Sequence, residues 1–381
     1  MKPLGLYLHW PFCAKICPYC DFTVARMRTI DEEAWLRCLL EDLAWAADHT
    51  ANRPLTSLYF GGGTPSLMPL RIAAAVLEEA ERRFGMVPEA ELTVEANPDD
   101  QAQFAEFRRV GFNRLSLGVQ SLDDPDLTFL GRNHSAGEAV SAIAKARATF
   151  PQLSLDFIYA LPEETAADWE RRLSRIVRLE ADHLSLYQLT IEPDTAFGKA
   201  AERGRLIPAP DGRSARLYRL TQDMTEGAGY PAYEISNHAR PGAQARHNSL
   251  YWDDAEWIGI GPGAHGRLEF GGRRWATAGL PRPSRYPNTP LPDRMETEPL
   301  DDVAIALETL ASGLRPRRGL RLSRLASFEE GVRAAAQPLL REGLLAEENG
   351  YLRATEDGAL LLDGLTSALS SPILDASACP A

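Results

Sequence analysis

Residues 9–22 read H-W-P-F-C-A-K-I-C-P-Y-C-D-F, and Cys13, Cys17 and Cys20 within them form a C-x₃-C-x₂-C run. The run directly follows a short apolar segment, L-G-L-Y-L-H-W from Leu4. Three thiolates on one tight loop can hold three irons of a [4Fe–4S] cube, because such clusters are bound by cysteine sulfur. The fourth iron then lacks a protein ligand, and an open coordination position is where an exchangeable small molecule binds. Two plainer readings compete. Half of a zinc site would need a second C-x-x-C or H-x₃-H nearby, and none follows. A disulfide framework would need an oxidising compartment, and the opening M-K-P-L-G-L-Y-L-H-W carries no secretory apolar region.

The 381 residues are 44% hydrophobic and 25% charged, the balance of a soluble globular protein of two or three domains. No apolar run reaches the roughly eighteen residues of a membrane span. A net charge of −12 argues against broad binding to nucleic acid or anionic membranes. A cytoplasmic protein is expected. Of the other cysteines, Cys38 reads as a buried small apolar residue and Cys379 as part of a tail.

Six apolar runs, starting at Leu4, Thr56, Glu91, Asn113, Leu153 and His183, alternate with helical patterns around 31–48, 69–84, 100–110, 136–149 and 165–179. Asp31 and Thr165 are the expected N-caps of two of these helices. Repeated β-α alternation implies a parallel sheet with right-handed crossovers. Periodicity leaves open whether the sheet is an incomplete barrel or doubly wound. On such folds functional residues gather where strands end. The cysteine loop, Gly61-Gly62-Gly63-Thr64-Pro65, E-A-N-P-D from Glu95, and Gln120-Ser121 all fall there.

Residues 1–200 are thus expected to form the core, and 201–278 an extension with a Y-E-I-S-N strand. Five prolines make 279–293 an extended linker. Residues 294–381 read as three helices and a hairpin turning at Asn349-Gly350, a small α+β domain like a winged helix. Arg315, Arg317, Arg318, Arg321 and Arg324 near its start read as a solvated face in preference to a DNA contact.

Several of these stretches carry a resemblance. C-x₃-C-x₂-C with Tyr19 before its last cysteine resembles the radical S-adenosylmethionine (SAM) superfamily. In that superfamily the open iron chelates SAM, and an electron from the cluster releases a 5′-deoxyadenosyl radical. The resemblance favours an α/β fold built as an incomplete (βα)₆ barrel. L-Y-F-G-G-G-T-P-S-L, V-E-A-N-P, R-L-S-L-G-V-Q-S and H-N-S-L-Y-W together look like the HemW family of haem chaperones, related to oxygen-independent coproporphyrinogen III oxidase. The resemblance implies SAM-side cofactor contacts at Tyr7, Tyr19, Gly62, Gly63, Thr64, Glu95, Gln120, Arg132 and Asp156. It implies haem at His247, which opens H-N-x-x-Y-W, with His9, His238 or His265 as a second ligand. Without it, His247 would read as a buried, satisfied histidine. The expected activity is haem delivery to an acceptor protein, with a reducing electron donor. The alternative is the oxidase, which decarboxylates coproporphyrinogen III. The oxidase carries a further cysteine two places after its last cluster cysteine, where this chain has Phe22, and a longer segment before the cluster.

Anaerobically reconstituted protein is expected to show the broad thiolate-to-iron absorption of a [4Fe–4S] centre. Alanine at Cys13, Cys17 or Cys20 removes one of three ligands and should abolish it, whereas Cys38→Ala should not. A full cluster in Cys17→Ala would refute the assignment.

Overall fold

The computed structural model describes residues 2–50 and 53–377; Cys379 lies outside them. Six strands, β1 (Leu4–Trp10), β2 (Leu55–Gly62), β3 (Met86–Ala96), β4 (Arg114–Gln120), β5 (Gln152–Tyr159) and β6 (His183–Gln188), run parallel in sequence order. Helices α1 (Glu32–His49), α2 (Leu70–Phe84), α3 (Phe104–Val110), α4 (Ala136–Thr149) and α5 (Ala166–Ile176) connect them. The expected caps form: Asp31 accepts the backbone N–H of Ala34, and Thr165 that of Asp168.

The two-residue period of the strands separates two environments. Leu92 and Val94, then Leu115, Leu117 and Val119, then Leu153, Leu155 and Phe157 turn outward into one core shared with the helices. The alternate positions turn inward and are polar: Glu95 on β3, Arg114 and Ser116 on β4, Ser154 and Asp156 on β5, and His183 and Ser185 on β6. The concave face is therefore a lined chamber, and the hydrophobic core lies between sheet and helices.

The sheet is larger than six strands. β7 (Asn237–Ala239) pairs antiparallel with β6. This short strand replaces the expected Y-E-I-S-N strand, whose first four residues are bends. β8 (Glu256–Ile260) pairs parallel with β1 as a seventh parallel strand, and β9 (His265–Phe270), β10 (Arg273–Gly279) and β11 (Met295–Pro299) extend it antiparallel. The eleven-stranded order is β11-β10-β9-β8-β1-β2-β3-β4-β5-β6-β7. Between α6 (Asp211–Gly227) and β8 lies α7 (Arg246–Trp252), packed on the inner face of β1 and β2. Gly5 permits this approach, since a Cβ there would lie 2.3 Å from Leu250 Cδ1.

The proline-rich stretch 279–293 is not the extended linker expected. It folds back on α1, with Tyr286 fully buried and stacked on Trp35. Asp42, itself buried, accepts the Tyr286 hydroxyl at 2.6 Å and Arg294 Nε at 2.9 Å, and Arg294 also reaches Glu41 and the Cys38 carbonyl. The C-terminal region keeps a separate apolar core among α8 (Asp302–Gly313), α9 (Glu329–Arg341), α10 (Leu362–Ser377) and the sheet of β12 (Leu320–Arg321), β13 (Leu345–Glu348) and β14 (Tyr351–Ala354). Asn349 and Gly350 both take positive φ, the geometry of a tight two-residue hairpin.

The arginine run is not a solvated face either. Arg315 pairs with Glu234, Arg318 with Asp253 and Arg324 with Asp254, while Arg317 reaches Gln222 and the Tyr218 hydroxyl. These bonds fasten the C-terminal region to the barrel around α6 and α7. Among the described residues no helix is long and apolar enough to cross a membrane.

Asp42→Asn leaves Arg294 buried with only half-exposed Glu41 opposite it. It is expected to cost about 3–5 kcal/mol in urea denaturation followed by tryptophan fluorescence. A loss below about 1 kcal/mol would mean that the pairing does not anchor 279–294.

Candidate functional site

The strand ends enclose a cavity of about 530 Å³. It is lined by Cys13, Cys17, Tyr19, Cys20, Gly62, Gly63, Thr64, Glu95, Gln120, Arg132 and Asp156, which are all but two of the site residues expected from the sequence. The exceptions are Tyr7 and His247.

The cysteine loop is pinned at its base. Gly63 N–H donates to Trp10 O at 2.7 Å, Thr64 N–H to Phe12 O at 2.9 Å, and Met27 N–H to Cys13 O at 2.7 Å. A side chain at Gly63 would strike this loop, with a Cβ only 2.8 Å from Pro11 C. At Gly62 (φ 109°) a Cβ would lie 2.6 Å from the His9 ring. The glycine run is thus required by the packing of two strand ends.

The three thiols are free. Burial pushes the Cys13 thiol up to about 11 and raises that of Cys20 as well. Arg132 Nη1 donates to Cys17 Sγ at 3.3 Å, placing a cation beside the loop. Among the described residues no three His, Cys, Asp or Glu converge as a single ion would need. A cube fits these donors better, since it gives each sulfur its own iron, and loading it releases the thiol protons.

Glu95 stands opposite the loop. It accepts the Tyr59 hydroxyl at 2.7 Å and Gly62 N–H at 3.1 Å. Burial raises its pKa to about 7, aided by repulsion from Asp156 and opposed by both hydrogen bonds. Burial raises Asp156 as well, against the pull of the hydroxyls around it; Ser116 Oγ lies 3.0 Å away and Ser154 Oγ 3.3 Å. Two carboxylates on one wall can accept hydroxyls of a polar ligand. Gln120 sits at a register shift with φ 66°, a strained conformation that turns the chain into the rim. Arg132 Nη2 also bonds Gly118 O at 3.0 Å and the Asn97 side chain.

The sequence reading missed Arg114, Ser116, Ser154, His183, Ser185 and Asn248 in this lining. Except for Asn248, which comes from α7, their signal was the alternation within R-L-S-L-G-V-Q, S-L-D and H-L-S-L, which marks every second residue as sharing the wall with Gln120 and Asp156.

His247 lies outside this lining. It is 1% exposed, with Nδ1 2.9 Å from Ser57 Oγ and Nε2 2.8 Å from the Tyr251 hydroxyl. Its ring stacks on Tyr59 at 5.2 Å, and burial lowers its pKa to about 3. Both nitrogens are engaged, so in this conformation neither is available to a haem iron. Tyr7 is outside the lining too, stacked on Tyr59 with its hydroxyl 3.0 Å from His9 Nδ1. His9 Nε2 lies 2.8 Å from Thr23 O, His238 is fully buried, and His265 is exposed at the start of β9.

A partial barrel with a cysteine loop at its strand ends defines a radical SAM protein. The profile of the Radical SAM superfamily matches residues 7–176, and that of the HemN C-terminal domain residues 300–361. The chain is 36% identical to heme chaperone HemW of Mycobacterium tuberculosis, over 97% of this chain and 95% of that one. It is 32% identical to heme chaperone HemW of Escherichia coli K12, over 96% and 97%. It is also 36% identical to the mitochondrial radical S-adenosyl methionine domain-containing protein 1 of Bos taurus, over 98% and 88%. The chain belongs to the HemW family. Its fold is that of coproporphyrinogen III oxidase (HemN) from Escherichia coli, with a TM-score of 0.80 at 21% identity over 97% of this chain and 90% of that one.

Unfolded, Glu95 ionises near 4.5; folded, near 7. Between those values the fold holds a proton that the unfolded chain has released, so stability falls as pH rises through this window. Glu95→Gln should therefore melt close to the parent at pH 5 and above it at pH 8 in ligand-free protein. An equal difference at both pH values would show that Glu95 is ionised throughout.

Proposed function

We propose that this protein is a cytoplasmic haem carrier that holds a [4Fe–4S] cluster and SAM and delivers haem to an acceptor protein. The observation that carries this reading is end-to-end similarity to proteins named as haem chaperones, together with Phe22 at the place of the oxidase's additional cysteine.

Cys13, Cys17 and Cys20 would hold the cluster, and Gly62, Gly63, Thr64, Glu95, Gln120, Arg132 and Asp156 the SAM, with Tyr19 packed beside them. When bound, the cluster supplies single electrons, drawn from a reducing donor, to a cleavable sulfonium. The chain's own groups do the positioning. Arg132, between Cys17 and Asn97, offers a cation for a carboxylate beside the loop. Glu95 and Asp156 accept hydroxyls from the opposite wall, and the Tyr59 hydroxyl and Gly62 N–H fix the orientation of Glu95. His247 backs Tyr59 and so stands one step behind this wall. Support of Tyr59 and Glu95 is proposed for it beside haem ligation, which needs its bond to Ser57 or to Tyr251 to open.

The purified, reconstituted protein is expected to bind about one haem per chain and pass it to an apo-acceptor. Under anaerobic, reducing conditions with SAM it should not convert coproporphyrinogen III to protoporphyrinogen IX. Robust decarboxylation without a stable haem complex would make the protein an oxidase.

A further inference from the structure

His183, the first residue of β6, lines the cavity and is 1% exposed. Both of its ring nitrogens are engaged. Nδ1 lies 2.7 Å from Ser154 Oγ, and Nε2 2.8 Å from the Tyr233 hydroxyl. Ser154 Oγ in turn lies 3.3 Å from Asp156 Oδ1. The register of the sheet makes this chain possible, because Ser154 on β5 pairs with His183 on β6, and Asp156 with Ser185. Ser154 and Asp156 stand two places apart and so face the chamber together.

The donors in the chain all point one way. An ionised Asp156 can only accept, so the Ser154 hydroxyl donates to it. The Ser154 oxygen then accepts Nδ1–H of His183. Burial, with Arg114 and His238 adding to it, holds the His183 pKa well below its ordinary value, so the ring is neutral and carries one proton. Nε2 is therefore bare and accepts the Tyr233 hydroxyl. The Tyr233 oxygen receives hydrogen bonds from the Ala245 backbone and the Asn248 side chain at the start of α7. Donors aligned head to tail polarise one another, so the last hydroxyl donates more strongly than a free serine would.

The surroundings of Asp156 give that donor its importance. Burial disfavours the charge on Asp156, and the hydroxyls of Ser185, Ser116 and Ser154, then Arg114 on β4, oppose that. Arg114 is shared, since it also faces Glu91 at 3.6 Å. The other titratable groups facing Asp156 are Glu95 on β3, Tyr59 on β2 and Tyr187 on β6, and none of them brings a positive charge. Of the three serines, Ser154 is backed by an imidazole that fixes its direction.

We propose that His183 is a positioning residue for the SAM wall: through Ser154 it aims a hydroxyl at Asp156 and holds that carboxylate turned toward the ligand as an acceptor. The proposal rests on the reading of Asp156 as a SAM contact and adds the residue behind it. His183 acts through Ser154, both of its own nitrogens being taken.

The test is SAM affinity of the full-length, cluster-reconstituted protein at pH 6 and at pH 8, with cluster content and melting temperature recorded for each variant. Glu95 titrates in this range in parent and variants alike, so each affinity is read as a ratio to the parent at the same pH. His183→Leu lets the Ser154 hydroxyl turn away and makes Asp156 easier to protonate. It is expected to weaken SAM binding about tenfold at pH 6, and much less at pH 8, where Asp156 ionises without help. His183→Asn keeps a donor toward Ser154 and should stay close to the parent at both. Ser154→Ala should reproduce the loss, and it carries the same pH comparison if His183→Leu does not load a cluster. The double variant should lose no more than Ser154→Ala alone, because the two residues act in one chain. Parental affinity in His183→Leu, a loss equal at both pH values, or losses that add in the double variant overturns the positioning role while leaving the SAM wall standing. Parental SAM affinity in Asp156→Asn overturns the part of Asp156 in that wall, and that of His183 with it.

Discussion

Everything in this fold follows from a sheet whose two faces must be satisfied in opposite ways. A parallel strand shows alternate residues to either side, and here one side is aliphatic and aromatic while the other is serine, carboxylate, arginine and histidine. The aliphatic face is sealed by helices. The polar face cannot be packed dry without leaving donors and acceptors unpaired, so the barrel stays open and keeps a chamber. Many polar side chains in it are held by neighbours, as Asp156 is by Ser116 and Glu95 by Tyr59. The chamber is thus preorganised before any ligand enters.

That arrangement explains the division of labour in H-N-S-L-Y-W. On α7 the six residues serve three directions. His247 is locked between Ser57 and Tyr251 under Tyr59, while Asn248 reaches the chamber. Trp252 lies beneath the Arg315 guanidinium, 5.0 Å from its carbon, and its carbonyl accepts Arg324. In three dimensions the segment is also a wedge joining the strand wall to the C-terminal region.

What the sequence disclosed was local. The cysteine loop, the caps Asp31 and Thr165, and the Asn349-Gly350 turn each depend on residues within a few positions, and each stands where it was expected. What it concealed was contact over distance. β8 joins β1 across some 250 residues, and no local pattern announces which edge it will take. The proline stretch looked extended because proline count describes the backbone, whereas Asp42, more than 240 residues away, decides where Tyr286 and Arg294 settle. His247 read by its residues alone as a buried, satisfied histidine, and so it stands, but its partner Ser57, 190 residues away, could not be named from sequence. The chamber's further lining was legible in principle, had the alternation been followed one residue beyond each strand-end motif.

The arginine fastening bears on how this protein can be divided. Glu234, Asp253 and Asp254 sit on the barrel side of the seam, and their countercharges all come from residues 315–324. Cutting the chain at the proline-rich stretch would leave three acids without their arginines, Glu234 among them buried. The C-terminal region has its own core, yet the barrel is not a portable module without it. Grafting or truncating the two as independent parts would transfer an unbalanced charge along with the fold.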